Sequence, residues 1–242
     1  MKTVSKLIIS TLALCFSATG LAQESPHSFS GNVTLASDYL YRGQSQTDNS
    51  FTIQGGIDYG HESGLYLGTW ASNISFTDDG AEVDIYGGYA GEFANGLGYD
   101  VTVIYYYYPG TTGQSSGEDF LEFGPSLSYT FGGEFEPSVG AGFLYSDDFS
   151  FNSGEGIYFY GDLGITLPNN FGLGFHIGHQ SIKDEAAWGT PDWLDYNVSL
   201  SKSFMGIDFA VTYSDTDLSE AECFGGGNIC DSTVVFSVSS SW

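Results

Sequence analysis

Apolar and polar residues alternate with a period of two along most of the chain. In the first such stretch, from Phe29 to Arg42, apolar residues such as Val33 and Leu35 hold odd positions and polar residues hold the even ones. Similar stretches lie near residues 51–59, 64–76, 83–93, 97–107, 121–131, 135–145, 157–167, 171–179, 194–204, 207–213 and 234–242, with the least regular alternation at 64–76. Successive side chains of a β-strand point to opposite faces, so this pattern predicts an all-β chain of about twelve strands.

The connections between these stretches alternate between short and long. Short ones lie at residues 61–63, 94–96, 132–134, 168–170 and 205–206, and mostly longer ones at 44–49, 77–80, 109–119, 146–156, 180–192 and 215–232. Outer-membrane barrels have short periplasmic turns at one rim and longer extracellular loops at the other, whereas a soluble β-sandwich has no reason to sort its loops by length. We therefore expect residues 23–242 to form a single antiparallel transmembrane β-barrel.

Acidic residues in the predicted strands take the parity opposite to the apolar residues of the same strand. They are Asp38, Asp58, Glu82, Asp84, Glu92, Asp100, Glu122, Glu136, Asp162, Asp195 and Asp208. An ionised group that faces hydrocarbon is costly, so this parity is expected to face a watery lumen. Charges in a narrow passage focus the electric field, and an open lumen of this kind is expected to favour cations.

Arg42 stands alone as a fixed cation on the predicted inner face. Two interpretations remain open: a constriction residue that holds an anionic group of a solute, or a lumen arginine that bridges carboxylates of neighbouring strands. Inner-face glycines are expected to leave room in the lumen, whereas inward tyrosines such as Tyr86, Tyr106 and Tyr158 are expected to fill it or to stack on a sugar. About twelve strands is intermediate between filled and open barrels, so the pattern does not decide whether the lumen is open.

Composition and the N-terminal segment narrow the class of protein. The chain has 30 Asp and Glu against 5 Lys and Arg, a formal net charge of -25, which excludes nucleic acid as a main partner. Residues 1–22 resemble a secretory signal peptide, with Lys2 and Lys6 flanking the start of an apolar stretch and cleavage predicted after Ala22. Beyond it no apolar run is long enough for a transmembrane helix.

Because an exported chain meets an oxidising compartment, Cys223 and Cys230 are expected to form a disulfide.

The C-terminal strand resembles a known assembly signal. Val234, Phe236, Val238 and Trp242 share one face, and the chain ends on an aromatic residue. The resemblance implies the outer-membrane barrel assembly machinery as a partner, and it implies periplasmic turns and termini. Lipid and lipopolysaccharide of a Gram-negative outer membrane are the expected surroundings. Interface girdles are expected from aromatic residues such as Trp70, Trp193, Tyr105, Tyr107 and Trp242.

Four ordered motifs resemble the TorF family of porins. They are Ser37-Asp38-Tyr39-Leu40-Tyr41-Arg42-Gly43, Gly68-Thr69-Trp70-Ala71-Ser72-Asn73, Glu82-Val83-Asp84-Ile85-Tyr86 and Tyr106-Tyr107-Tyr108-Pro109-Gly110. The resemblance covers nearly the whole chain beyond the signal peptide. It implies an outer-membrane barrel and a pore, and it implies no catalytic or binding residues.

The sequence predicts passive diffusion of small solutes through an acidic lumen that prefers cations, without a cofactor or catalysis. The first alternative is a closed structural or adhesive barrel that acts through its acidic loops. The second is an outer-membrane hydrolase, because His176, His179 and Asp147-Asp148 supply a base and acids that are expected at or near the outer rim. Calcium or magnesium would suit the carboxylates of the last long loop, at Asp215, Asp217 and Glu220, and plain solvation of these acids is the alternative that the sequence favours.

Overall fold

The computed structural model describes residues 25–77, 80–109 and 117–242. Twelve antiparallel strands close into a barrel in chain order. They are β1 (His27–Ala36), β4 (Thr52–His61), β5 (Leu65–Asn73), β6 (Ala81–Glu92), β7 (Gly98–Tyr107), β8 (Phe120–Thr130), β9 (Ser138–Ser146), β10 (Gly156–Leu167), β11 (Phe171–Ile182), β12 (Trp193–Phe204), β13 (Ile207–Thr216) and β14 (Thr233–Ser241). Two short strands, β2 (Leu40–Tyr41) and β3 (Gln44–Ser45), pair only with each other. The predicted all-β barrel and its strand number are confirmed; the predicted signal peptide lies outside the described residues.

The connections divide the barrel into two ends. Short turns follow β4, β6, β8, β10 and β12 at one end, which we call the turn rim, and longer connections lie at the other end, the loop rim. β1 begins at the turn rim, where His27 pairs with His61. Helical segments are the 3₁₀ turns Ser150–Asn152 and Pro168–Asn170 and the single-turn helix α1 (Glu185–Trp188). Within the described ranges, no helix is long and apolar enough to span a membrane.

The outer face of the barrel is apolar. Ile57, Leu67 and Phe236 are 63%, 56% and 60% exposed, and many other large apolar side chains share this face. Soluble proteins rarely expose so much apolar surface, whereas a barrel in lipid requires it. Lys202 also points outward near the turn rim, where its Nζ donates to the carbonyl of Asn169 at 2.7 Å, so its charge is held away from the centre of the apolar band.

Three candidate lumen residues that were predicted to lie on barrel strands lie elsewhere. Strand β1 ends at Ala36, so Asp38 and Arg42 belong to the connection that follows it. Glu136 is exposed in the turn between β8 and β9 with a φ of 39°. Pro137 explains this placement, because proline cannot donate to a strand ladder and β9 begins only after it.

The predicted aromatic girdles are wrong at two positions. Trp70 faces the lumen and packs edge-on against Tyr39, with ring centroids 5.2 Å apart. Trp193 is 1% exposed and its indole N–H donates to the carbonyl of Arg42 at 2.9 Å. Both indole side chains therefore pack inside the barrel. The aromatic rings of Tyr105, Tyr107 and Trp242 are exposed.

Candidate functional site

The connection between β1 and β4 folds back into the barrel, and we call its residues 37–47 the plug. Strands β2 and β3 form a hairpin whose two-residue turn, Arg42 and Gly43, has φ values of 49° and 81°. Positive φ at both positions is typical of the tight hairpin turn that matches strand twist. The Asp38 carboxylate accepts the Ser45 hydroxyl at 2.7 Å and fastens the base of the hairpin. A segment predicted as the end of a strand is therefore a hairpin with Arg42 at its tip.

Arg42 joins the plug to the far wall of the barrel. Its Nη2 lies 2.5 Å from Oε2 of Glu122 on β8, and its Nη1 donates to the Gln180 side chain on β11. The guanidinium carbon lies 4.0 Å from the ring centroid of Tyr158 on β10. Trp193 on β12 holds the backbone carbonyl of Arg42. Arg42 therefore pairs with a carboxylate, as one of the two interpretations predicted. It joins the inserted plug to the barrel wall, however, and does not join two neighbouring strands.

Tyrosine hydroxyls complete the contacts between the plug and the acidic wall. Tyr39 of the plug donates to Oε1 of Glu82 at 2.8 Å. Tyr106 of β7 donates to Oε2 of Glu122, at 3.1 Å, the oxygen that also accepts from Arg42. Glu82 and Glu122 are 1% and 0% exposed. These two acids therefore face the plug and the wall rather than open water.

The lumen near the loop rim, which we call the loop-side lumen, is packed. Every barrel strand except β14 contributes a buried inner-face residue close to its loop-rim end. These residues are Ala36, Thr52, Ser72, Glu82, Tyr106, Phe120, Ser146, Tyr158, Gln180, Trp193 and Thr216. Within the described residues, the plug fills the space that they surround.

His176 lies among acids beneath the plug. Its Nδ1 is 2.7 Å from Oδ1 of Asp162, and its Nε2 is 2.7 Å from the Tyr158 hydroxyl and 3.3 Å from Asp195. The residue is 6% exposed and both ring nitrogens have protein partners. His179 lies exposed on the opposite parity. His176 therefore lies in a packed cluster and His179 lies on the outer face. The two histidines do not share a catalytic centre.

The lumen near the turn rim, the turn-side lumen, has a different lining. Small or polar residues line it and are half-buried rather than buried, among them Asn32, Thr102, Ser126, Gly140, Ser199, Ser201, Ala210, Thr212 and Ser237. Two of the predicted lumen acids, Asp100 and Asp208, lie on this wall, whereas Asp162 is bonded to His176. Asp100 accepts the Tyr66 hydroxyl at 3.0 Å, and Asp58 accepts that of Tyr86 at 2.5 Å. Tyrosine hydroxyls thus bond two of the predicted lumen acids across the interior of the barrel.

A disulfide-closed segment lies against the plug at the loop rim. Cys223 and Cys230 are bonded and are 0% and 2% exposed. The carbonyl of Ile229, inside this segment, accepts the backbone N–H of Ser45 in the plug at 2.7 Å. Thr216 at the end of β13 donates to the Cys230 carbonyl at 3.0 Å. The disulfide therefore shapes a loop that holds the plug from the outside.

The calcium or magnesium site considered for the last loop is not formed by the described residues. Across 25–77, 80–109 and 117–242, no group of three or more His, Cys, Asp or Glu side chains could hold a metal ion. Asp215 accepts the Tyr196 hydroxyl at 2.9 Å, and Asp217 accepts the backbone N–H of Leu194 at 2.7 Å. These carboxylates order the loop rim, and Glu220 is exposed.

The predicted assembly residues all face outward on β14 or just after it. Val234, Phe236, Val238 and Trp242 are exposed. The backbone N–H and C=O of Trp242 pair with those of Gly31 at 3.0 and 3.1 Å, which extends the seam between β14 and β1. Their recognition by the assembly machinery stays a prediction.

Sequence reasoning missed Gln180 and the roles of Trp193 and the plug. The missed signal is in the first strand: residues 29–42 exceed the roughly 9–11 residues that cross a bilayer. A glycine directly after Arg42 is also a turn signal. Gln180 carried no signal, because a neutral amide on an inner face is ordinary in a barrel.

Two solved structures that share the fold are described as porins. The structure described as "KdgM porin" has a TM-score of 0.58 and 10% identity over 88% of this chain and 98% of that one. The NanC porin has a TM-score of 0.56 and 10% identity over 89% and 99% of the two chains. At this identity the likeness shows the fold alone. No curated protein matches the sequence.

The family comparison does not supply the TorF name, which stays an expectation from the four motifs. The family model that matches covers residues 21–242, a range that includes every described residue. The chain therefore belongs to the family described as "Bacterial protein of unknown function (Gcw_chp)".

Proposed function

We propose that this protein is an outer-membrane channel that passes small solutes by passive diffusion and prefers cations. The observation that carries the proposal is the acidic, half-buried lining of the turn-side lumen, with Asp100 and Asp208 on its wall. An apolar exterior and a porin-like fold support the membrane setting. We also propose lipopolysaccharide and the barrel assembly machinery as partners.

The charge distribution supports the cation preference. The fixed cations of the described residues lie away from the turn-side wall: Arg42 in the plug, Lys183 in a loop and Lys202 on the outer face. Carboxylates on the wall of a low-dielectric passage attract cations and repel anions through a focused field. Solutes would diffuse down their gradients, and no side chain is assigned a chemical step.

Single-channel recording tests this function. The refolded mature protein in a planar bilayer, with a salt gradient across it, is expected to show discrete conductance steps and a reversal potential on the cation-selective side. Folding is checked by far-UV circular dichroism and by heat-modifiable gel mobility. Anion selectivity would contradict the proposed charge preference.

A second candidate function rests on the packed loop-side lumen. A closed structural or adhesive barrel would act through its loops and would need no passage. Folded protein that stays silent in the bilayer, with the plug present and with it removed, would favour this candidate over the channel.

A further inference from the structure

We infer that the plug is a gate, latched to the far wall by Arg42 and able to leave the loop-side lumen, so that it sets how often the pore conducts. This inference rests on the proposed channel function and concerns the regulation of that channel. The plug is the described segment that enters the loop-side lumen from β1, and its tip reaches β8, β10, β11 and β12.

The plug is held by hydrogen bonds rather than by a strand ladder. Backbone bonds join Ser45 to Ile229 and Gln46 to Ser75 in neighbouring loops. The polar contacts of the plug with the acidic wall pass through three side chains, Tyr39, Tyr41 and Arg42, and through their bonds to Glu82 and Glu122. β2 and β3 make no ladder with any barrel strand. The hairpin can therefore move as a unit without opening the barrel sheet.

Burial of carboxylates opposes the closed state. Glu82, Asp84 and Glu122 are at most 2% exposed, and Glu122 pairs with Arg42. Oδ1 of Asp84 and Oε1 of Glu122 have no hydrogen-bond partner among the described residues. A buried carboxylate oxygen without a partner is costly, and water would relieve that cost if the plug withdrew. The contacts of Arg42 therefore stabilise the closed state, whereas the unpaired carboxylate oxygens destabilise it. Because the two effects oppose each other, the plug can leave the loop-side lumen.

The test compares Arg42→Ala with two matched variants in the planar bilayer. Arg42→Lys keeps the charge but cannot make the forked contacts to Glu122 and Gln180. Lys183→Ala removes another fixed cation at the loop rim, where it is paired with the exposed Glu155 at 3.1 Å. Arg42→Ala is expected to raise the fraction of time open by about tenfold or more, the scale on which a buried charge contact changes an equilibrium. Arg42→Lys should lie between, and Lys183→Ala should match the unchanged protein.

A variant with residues 38–47 replaced by a short Gly-Ser link distinguishes the possible failures. If it and the unchanged protein conduct equally, the channel stands and the gate is overturned. If it conducts steadily where the unchanged protein opens rarely, the gate is supported. If every variant is folded and silent, the channel proposal fails, and the gate fails with it.

Hydrogen exchange on the unchanged protein gives a test that needs no variant to fold. A gate predicts that backbone amides of residues 37–47 exchange faster than those of the neighbouring wall strands β10 and β11. Exchange of the plug at the same slow rate as the wall would overturn the proposal.

Discussion

The two halves of the lumen hold acids of the same kind in different surroundings. Glu82 and Glu122 in the loop-side lumen are sealed under the plug, whereas Asp100 and Asp208 in the turn-side lumen are half-buried on a wall of small polar residues. An acid that water and ions can reach acts on passing charge, while a sealed acid acts on the protein itself. Inner-face acids that follow the same alternating pattern are therefore sealed in one half of the lumen and half-buried in the other. The difference is whether the plug covers them.

The largest expected difference between the halves follows from neutralising one acid in each. Glu122→Gln leaves the Arg42 guanidinium buried without its carboxylate, which should reduce the free energy that holds the plug by about 3 kcal/mol or more. Asp208→Asn removes a half-buried carboxylate at the turn rim and should change stability by no more than about 0.5 kcal/mol. Hydrogen exchange of residues 37–47 measures the first effect, and chemical unfolding measures the second. Equal effects of the two changes would break the comparison.

Removal of the disulfide should have the next largest effect, again confined to the loop-side half. Cys223→Ser with Cys230→Ser should destabilise the loop by about 2–3 kcal/mol, because a short closed loop loses its constraint on the unfolded state. The Ser45 amide, which donates to Ile229 in that loop, should exchange faster. Ser201→Ala on the turn-side wall, where Ser201 pairs with Gly172 and Ala210, is the control and should leave Ser45 unchanged. Unaltered protection of Ser45 in the double variant would mean that the loop does not hold the plug.

A smaller effect is expected on ion selectivity, and here the turn-side half should dominate. One charge about 8 Å from a permeating ion in water contributes about 0.5 kcal/mol, or about a twofold change in the permeability ratio. Asp100→Asn with Asp208→Asn should therefore move the reversal potential toward zero. An unaltered reversal potential in the double variant would contradict the assignment of selectivity to the turn-side wall.

The smallest effect is expected from the exposed ion pair at the loop rim. A hydrogen bond from Lys183 lowers the pKa of Glu155. With a lowered pKa, any stabilisation by this pair is present above the ordinary carboxyl range and is lost as the pH falls through the lowered value. Both groups are well exposed, so Lys183→Ala should leave the unfolding midpoint unchanged between neutral and mildly acidic pH. A clear loss of stability would mean that the loops are coupled to the barrel more tightly than their exposure indicates.

The barrel could be predicted from the sequence because membrane and lumen impose opposite requirements on alternate residues. Ile57 and Asp58 are neighbours that face lipid and lumen, and a period of two records that difference directly. The alternation of short and long connections also predicted which ends of the strands meet at each rim. These signals are local, and each strand repeats them.

The plug could not be predicted in the same way, because alternation continues past the point where the strand ends. Tyr39, Tyr41 and Arg42 continue the alternation of strand β1. They belong to a hairpin inside the barrel, however, so both of its faces contact the interior. Contacts such as Arg42 with Gln180 join residues far apart in the sequence. Only closure of the barrel brings them together, so neither parity nor spacing could assign them.

Thiol labelling at two neighbouring inner-face positions tests the central claim most directly. Ser199 on β12 is half-buried in the turn-side lumen, and Ser214 on β13 is 4% exposed in the loop-side lumen. Ser199→Cys and Ser214→Cys each add one free thiol, because the Cys223–Cys230 pair is bonded. We predict that Ser199→Cys reacts quickly, and faster with a trimethylammonium thiosulfonate than with a sulfonate reagent, while Ser214→Cys reacts slowly with both until residues 38–47 are removed. Equal labelling of the two positions, or a preference for the anionic reagent at Ser199→Cys, would contradict the account.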